Sequence, residues 1–492
     1  MVRTIITLLF AVLFSLPATA QELSVHQREW QFYRDHPELA GKEVVRPKGE
    51  PPLAAAKRGS LKGIIYGFHP YWMNGAEANY DFSLLTHLAY FSGDVDPATG
   101  GFSSTNSWSS AAVVTKAKQN GVKVHFTITQ FSGHTTLFNS YANKQALIKN
   151  IVSQIQLRGA DGCNVDVEGT SGFSTALADS FRMFIRALGD TLHHYGKELC
   201  VELPAVDWSS SWYVYGSAFF SVVGNSVDYY FLMAYDYWWS GSTSAGPVAP
   251  LQASSVTSEW HALRSINAFL SKGCPAAKLI AGFPYYGYDW PTTSSATYAT
   301  ASGSANSRTY TVVKNNYIDT IPKSRQFWST TYSTPFYKYV SGGTWRQTWY
   351  DDSMSLSMKY DSVAALHIAG TGMWALGYDG TEKELWNALR RTFVTDVKEP
   401  APIVPASFQL QAFPNPFNPS TTIQFSVPQN GMTAVMLYDA LGREAAQLFR
   451  GTADAGRMYQ RTVDAQHLAS GLYIVRLESG GVSRSIKLMM VK

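Results

Sequence analysis

The chain has 492 residues, 45% of them hydrophobic and only 15% charged, with a formal net charge of +4. That length exceeds one ordinary domain, and that composition builds a sizeable core, which excludes a disordered chain. No run or stripe of Lys and Arg accompanies the small charge, which argues against nucleic acid as a partner.

Residues 1–20 read as a secretory signal peptide: Arg3 supplies the positive start, an apolar run follows from Ile5 to Leu16, and Ala18-Thr19-Ala20 fits the cleavage pattern. The run is short for a bilayer, and no later stretch reaches the roughly 18 apolar residues of a spanning helix. The mature protein is therefore expected to begin near Gln21 with no transmembrane segment. Residues 21–60 form an N-terminal lead, polar and helical over 29–39 and Pro-containing near 47–52. Cys163, Cys200 and Cys274 cannot all pair and have no metal-knuckle spacing. Buried free thiols are the expected state.

From residue 61 to 396, short apolar runs alternate with helical patterns. The strand candidates are 63–68, 87–91, 123–129, 162–168, 198–203, 227–235, 278–284 and 370–374; helical patterns at 109–120, 144–158, 177–195, 258–272 and 382–393 lie between or after them. Alternation of this kind implies right-handed crossovers and a parallel sheet. Eight units over this length predict an α/β fold, a (β/α)8 TIM barrel. An interval of about 288–345, between barrel strands 7 and 8, is far longer than one helix needs and reads as an α+β insertion. It either walls a substrate groove or stands clear of it. Pro400, Pro402 and Pro405 mark residues 397–407 as a semi-rigid linker, and the short alternating strands of 408–492 predict a small all-β sandwich.

The chemistry concentrates in Asp161-Gly-Cys-Asn-Val-Asp-Val-Glu168. Side chains alternate along a strand, so Asn164, Asp166 and Glu168 share one face and Cys163, Val165 and Val167 the other. Three polar residues on one face of a buried strand are costly in an apolar core. A barrel interior opening to its C-terminal mouth resolves the conflict, because that is where barrel enzymes keep their reacting groups. Aromatic pairs follow several strands: Tyr71 and Trp72, Trp208 and Trp212, Trp238 and Trp239, Tyr286 and Trp290. Rings at that end of a barrel suit the apolar faces of sugars. Histidines are scattered, so no metal site and no cofactor is expected.

The segment resembles the D-G-x-D-x-D-x-E signature of family 18 glycoside hydrolases, the chitinases and their relatives, with Asn164 for the usual Asp and Cys163 at a normally aliphatic position. The resemblance covers residues 60 to 396. Val227-Asp-Tyr-Tyr-Phe-Leu-Met-Ala-Tyr-Asp236 is similar to the family's sixth strand, Leu279-Ile-Ala-Gly-Phe-Pro-Tyr-Tyr-Gly287 to its seventh and Gly372-Met-Trp-Ala-Leu-Gly-Tyr-Asp379 to its eighth. The third strand, ending Thr127-Ile-Thr-Gln-Phe-Ser132 where chitinases carry a Ser-x-Gly-Gly run, is nearer the spore-cortex and germination branch.

The resemblance implies an enzyme that cleaves β-1,4-linked N-acetylglucosamine polymers, chitin or peptidoglycan, with retention and without a protein nucleophile. Glu168 would protonate the glycosidic oxygen, and the substrate's acetamide carbonyl would attack the anomeric carbon to give an oxazolinium ion. Asp166 would orient the acetamide, Tyr235 would hydrogen-bond its oxygen, and Asn164 would support Asp166 without sharing its proton. Asp236, Met233, Trp374, Tyr286 and Trp72 would contact the sugar. The alternative is a non-catalytic sugar-binding protein on the same barrel; the presence of Glu168 favours the enzyme.

In the last 85 or so residues, Phe413-Pro-Asn-Pro-Phe-Asn-Pro-Ser-Thr-Thr-Ile423, Tyr438-Asp-Ala-Leu-Gly-Arg443 and Leu468-Ala-Ser-Gly-Leu-Tyr473 resemble the C-terminal sorting domain of type IX secretion. That resemblance implies the type IX machinery as a partner, passage through the periplasm, and a secreted or outer-surface location.

Overall fold

The computed structural model describes residues 23–42, 61–205, 214–253, 259–315, 320–394, 409–454, 459–464 and 468–491. The signal peptide, the Pro-containing stretch near residue 50, Trp208, Trp212 and the Pro-rich linker lie outside the described residues. The chain divides into two compact units, residues 1–395 and 396–492.

The larger unit is built on eight parallel strands. In chain order they are β1 (Ile64–Pro70), β2 (His87–Asp96), β4 (Lys123–Gln130), β5 (Gly162–Val167), β6 (Glu198–Leu203), β7 (Tyr229–Met233), β8 (Leu279–Pro284) and β14 (Gly370–Trp374), with the short strand β3 (Gly101–Ser104) antiparallel on β2. Each barrel strand pairs with the next. β1 pairs with both β2 and β14, so the sheet closes on itself. The strands are apolar runs buried along almost their whole length, as parallel strands covered on both faces must be. Amphipathic helices such as Thr175–His194 and Ala262–Ser271 cover the outside.

Inside, large and small residues interlock. The Phe231 ring of β7 fills the lumen between Tyr66 and Phe68, at 5.6 and 4.8 Å between centroids. It fits only because two facing positions are glycine: a Cβ on Gly282 or Gly372 would lie 2.2 or 2.4 Å from its ring. Above this apolar layer the inward residues turn polar, and the site begins.

The insertion forms a five-stranded antiparallel sheet of β9 (Tyr286–Thr292), β10 (Asn306–Thr309), β11 (Gln326–Ser329), β12 (Thr334–Ser341) and β13 (Thr344–Trp349), in the order β10-β9-β13-β12-β11. It starts directly after β8, so Tyr286 and Trp290 belong to its first strand and not to a free loop. Trp290 is fully buried and packs on Tyr288.

The smaller unit is a pair of antiparallel sheets. One orders β15 (Gln409–Phe413), β16 (Ser420–Ser426) and β19 (Tyr459–Asp464); the other orders β18 (Glu444–Ala453), β17 (Gly431–Asp439), β20 (Gly471–Ser479) and β21 (Val482–Met490). Their alternating apolar residues, among them Ile423, Phe425, Leu437 and Val475, share one fully buried core.

Among the described residues, no helix is long and apolar enough to cross a membrane.

The N-terminal lead also folds: its helix is present, but at Val25–Asp35 and not over 29–39. Helix α1 (Val25–Asp35) is capped by Ser24, whose Oγ accepts the Gln27 N–H at 3.0 Å. Val25, His26 and Tyr33 are buried, and the helix lies across the C-terminal mouth of the barrel.

Candidate active site

β5 delivers Asn164 and Asp166 to the barrel lumen, both fully buried. Glu168 follows just past the end of β5, with its N–H donating to the Gln130 carbonyl at 3.1 Å and its side chain 12% exposed. The next residue, Gly169, turns the chain away with φ +76°, a conformation that costs glycine little. The Tyr215 hydroxyl donates to the Val167 carbonyl at 3.1 Å and ties down the same strand end.

Beyond β7, Tyr235 and Asp236 enter the mouth. Asp236 holds a left-handed φ of +59°, a strained setting for a residue other than glycine and one that proteins keep mainly at functional sites. Its carboxylate accepts from the Tyr286 hydroxyl (2.5 Å) and the Tyr288 hydroxyl (3.3 Å). The Trp374 indole, fully buried at the end of β14, floors the space, flanked by Phe91 at 4.8 Å and Trp72 at 6.2 Å between centroids.

His26 of α1 occupies the space these groups surround. Its Nδ1 lies 3.3 Å from Asp166 Oδ2, 3.3 Å from Glu168 Oε1 and 3.7 Å from Glu202 Oε2. Its Nε2 lies 2.8 Å from the Tyr235 hydroxyl, and its ring sits 3.8 Å over Trp374. Burial disfavours the charged ring, but the hydrogen bonds and attraction of Asp166 and Glu168 outweigh it and raise the His26 pKa well above 6.5. Two carboxylates at one ring nitrogen thus favour the charged form of the ring. Burial, with Glu168 adding repulsion, pushes Asp166 up to about 7 against the pull of His26. Burial pushes Glu202 well above the usual carboxylate range, with Asp166 adding to it.

The rest of the helix grips the same walls. The Ser24 hydroxyl donates to Glu168 Oε1 (2.8 Å), and the Val25 N–H donates to Asp236 Oδ2 (3.2 Å). Arg28 Nη2 reaches the same oxygen at 3.4 Å and also the Tyr288 hydroxyl. Glu29 Oε2 accepts from Trp374 Nε1 (3.1 Å) and the Tyr378 hydroxyl (2.7 Å). Tyr33 stacks on Trp72 at 4.9 Å and 12°. An open cavity of about 350 Å³ remains beside Glu168, walled by Met233, Trp238, Trp239 and Trp260.

The structure thus gathers Asp166, Glu168, Tyr235 and Trp374 around one point, with Met233 lining the adjoining cavity. Tyr286 is buried and held on Asp236, and Trp72 lies behind Tyr33. Asn164 is enclosed with neither amide atom hydrogen-bonded to oxygen or nitrogen; the Cys200 thiol is its polar neighbour. Sequence reasoning missed Glu202, although Glu198, Cys200 and Glu202 alternate onto one face of β6. It also missed every contact of α1.

Among the described residues, two groups of three have the spacing of metal ligands, contrary to the impression left by scattered histidines. One is His26, Asp166 and Glu168 in the mouth; the other is His87, His125 and Glu198 at the opposite end of the barrel. In the second, both histidine Nε2 atoms face Glu198 Oε2, at 3.0 and 3.2 Å, while Lys123 holds the other oxygen. The lysine and the completed hydrogen bonds satisfy that carboxylate without an ion.

A closed parallel barrel with paired carboxylates at its C-terminal mouth defines the class, a (β/α)8-barrel enzyme. Comparison gives the family. Residues 64–379 match the family of glycosyl hydrolases family 18, and the chain belongs to it. Residues 411–492 match the secretion system C-terminal sorting domain, which marks a secreted or cell-surface protein of type IX secretion. The protein named sporulation-specific glycosylase YdhD of Bacillus subtilis (strain 168) is 30% identical over 290 residues, 55% of this chain and 61% of its own length. The cortical fragment-lytic enzyme of the same organism is 24% identical over 268 residues, 52% of this chain and 57% of its own. The chain therefore spans about three fifths of these relatives. The Ostrinia furnacalis group IV chitinase in complex with allosamidin superposes with a TM-score of 0.60 at 18% identity, covering 67% of this chain and 98% of that one, a likeness of fold.

Proposed function

We propose that this glycosidase cleaves β-1,4-linked N-acetylglucosamine-containing polysaccharide, chitin or peptidoglycan, by retaining, substrate-assisted catalysis. The observation that carries the reading is that Asp166, Glu168, Tyr235 and Trp374 converge on a space that one small planar ring fills. A pyranose ring stacked on Trp374 would carry its acetamide toward Asp166 and Tyr235 and its glycosidic oxygen toward Glu168. Glu168, the partly exposed member, donates the proton to the leaving oxygen and later takes one from water. The acetamide oxygen attacks C1 as the glycosidic bond breaks. Asp166 holds the acetamide N–H and offsets the positive charge of the oxazolinium, and the Tyr235 hydroxyl binds the acetamide oxygen. Asn164 packs beneath Asp166 as an uncharged neighbour.

Similarity to the cortical fragment-lytic enzyme keeps peptidoglycan beside chitin as substrate. The test is hydrolysis of defined N-acetylglucosamine oligomers and of purified peptidoglycan by the full chain. Glu168→Gln should lower the rate on the cleaved polymer by about 10²–10⁴-fold, as loss of a positioned general acid does. Sugar binding with no cleavage of either polymer, under conditions where α1 is shown to be out of the site, would leave a sugar-binding protein instead.

A further inference from the structure

The segment that fills the site is part of the chain itself. We propose that α1 is an autoinhibitory plug: Ser24 to Tyr33 occupy the subsite over Trp374 and keep the hydrolase latent until the segment is displaced. This rests on the functional reading above and names the regulation of the same site.

Steric exclusion comes first. With the His26 ring 3.8 Å from the Trp374 ring, the two are in van der Waals contact and no pyranose fits between them. The groups assigned to the sugar are also engaged. Glu168 accepts from Ser24, Tyr235 and Asp166 face His26, and Trp374 Nε1 donates to Glu29. The cavity that stays open is bounded by Leu23 and by Ser24 at the head of the plug, so a chain entering past Trp238 and Trp239 meets α1 before it reaches Trp374.

The contacts are chemically matched, which separates a plug from a helix that happens to rest there. The oxazolinium ion is a cationic five-membered ring held between Asp166 and Tyr235. The His26 imidazole is also a five-membered ring, with one nitrogen at Asp166 and the other at Tyr235, and the carboxylates of Asp166 and Glu168 favour its cationic form. The helix is built to present it. His26, Glu29 and Tyr33 recur at a spacing of three and four, which puts them on one face toward Trp374, Tyr378 and Trp72. Ser24 caps the helix with the same oxygen whose proton it gives to Glu168. The positive N-terminal end of α1 points at Glu168 and Asp236. A signal-peptide cut after Ala20 would lie upstream and leave the plug in place.

The experiment compares the full chain with a full-chain variant carrying His26→Asp and Arg28→Glu. The new carboxylates face Asp166, Glu168, Glu202 and Asp236, so the segment is repelled while every barrel residue is kept. Three things are read: hydrogen exchange of residues 25–35, binding of N-acetylglucosamine tetramer by tryptophan fluorescence, and hydrolysis of the same oligomer. The parent should protect α1 and the variant should expose it. If the parent site is open about 1–10% of the time, apparent affinity and kcat/KM should rise about 10- to 100-fold in the variant. Faster hydrolysis supports the proposal. A gain in binding with no hydrolysis by either protein supports the plug and overturns the hydrolase reading. Equal hydrolysis by both proteins overturns the plug and leaves the hydrolase standing. The plug is also overturned by an unprotected α1 in the parent, by protection that persists in the variant, or by release without any gain in binding or hydrolysis.

Discussion

The Tyr235 hydroxyl stands 2.8 Å from His26 Nε2. That contact shows where the hydroxyl points: into the space above Trp374, on the side opposite Asp166. A Phe at this position keeps the ring, which is buried, and removes only the polar atom. With α1 released, Tyr235→Phe should lower kcat by about 10²-fold, the loss typical of one donor aimed at developing charge, with KM changed by less than about threefold. Steady-state kinetics on an N-acetylglucosamine oligomer measures the split. A rise in KM alone would show that the hydroxyl serves ground-state binding.

Asp166 makes folding depend on pH. Its pKa is pushed up to about 7, first by burial and then by Glu168. A group whose folded pKa is raised contributes its stability fully below the unfolded value and loses it as pH climbs through the folded one. From this carboxyl, stability should fall between about pH 4 and pH 7. Glu202, also raised by burial, acts in the same direction. Thermal melting of the full chain and of Asp166→Asn across that range should show a shallower decline in the variant.

Cys163, Cys200 and Cys274 are free and buried, and burial pushes each thiol upward, away from the reactive thiolate. A colorimetric thiol reagent should find no reactive cysteine in the native protein and all of them once denaturant unfolds the barrel. Rapid native labelling would contradict the packing around β5 and β6.

The sorting domain should melt by its own core. Leu437 is fully buried between its two sheets. Leu437→Ala should cost that domain about 2–5 kcal/mol, a large share of the stability of so small a unit. Calorimetry should show its transition moving down while the barrel's transition and the hydrolase rate stay put.

The parts of the site carried by one strand could be read from the sequence. Alternation along β5 placed Asn164, Asp166 and Glu168 on one face, and the family resemblance of the segment ending β7 supplied Tyr235 and Asp236. Contacts that depend on barrel closure could not be read in the same way. Glu202 had a local signal, since Glu198, Cys200 and Glu202 alternate, but only the pairing of β5 with β6 brings it beside Asp166. His87, His125 and Glu198 meet for the same reason, from three strands. The plug is harder still. His26 touches groups 140 and 209 residues away, and Val25 one 211 away. A helix was expected in the lead over 29–39 and stands at Val25–Asp35, while nothing local to it names the surface it covers. Tyr286 and Trp290 were read as mouth aromatics because the first strand of the insertion follows β8 without a break.

The configuration of the first product tests the central claim most directly. An N-acetylglucosamine oligomer would be cleaved by the variant carrying His26→Asp and Arg28→Glu, and the new reducing end followed by proton NMR before mutarotation. Retaining, acetamide-assisted cleavage predicts that the β-anomer accumulates first and that Glu168→Gln in the same background abolishes the signal. Initial α-anomer, or cleavage that survives the loss of Glu168, would contradict the account.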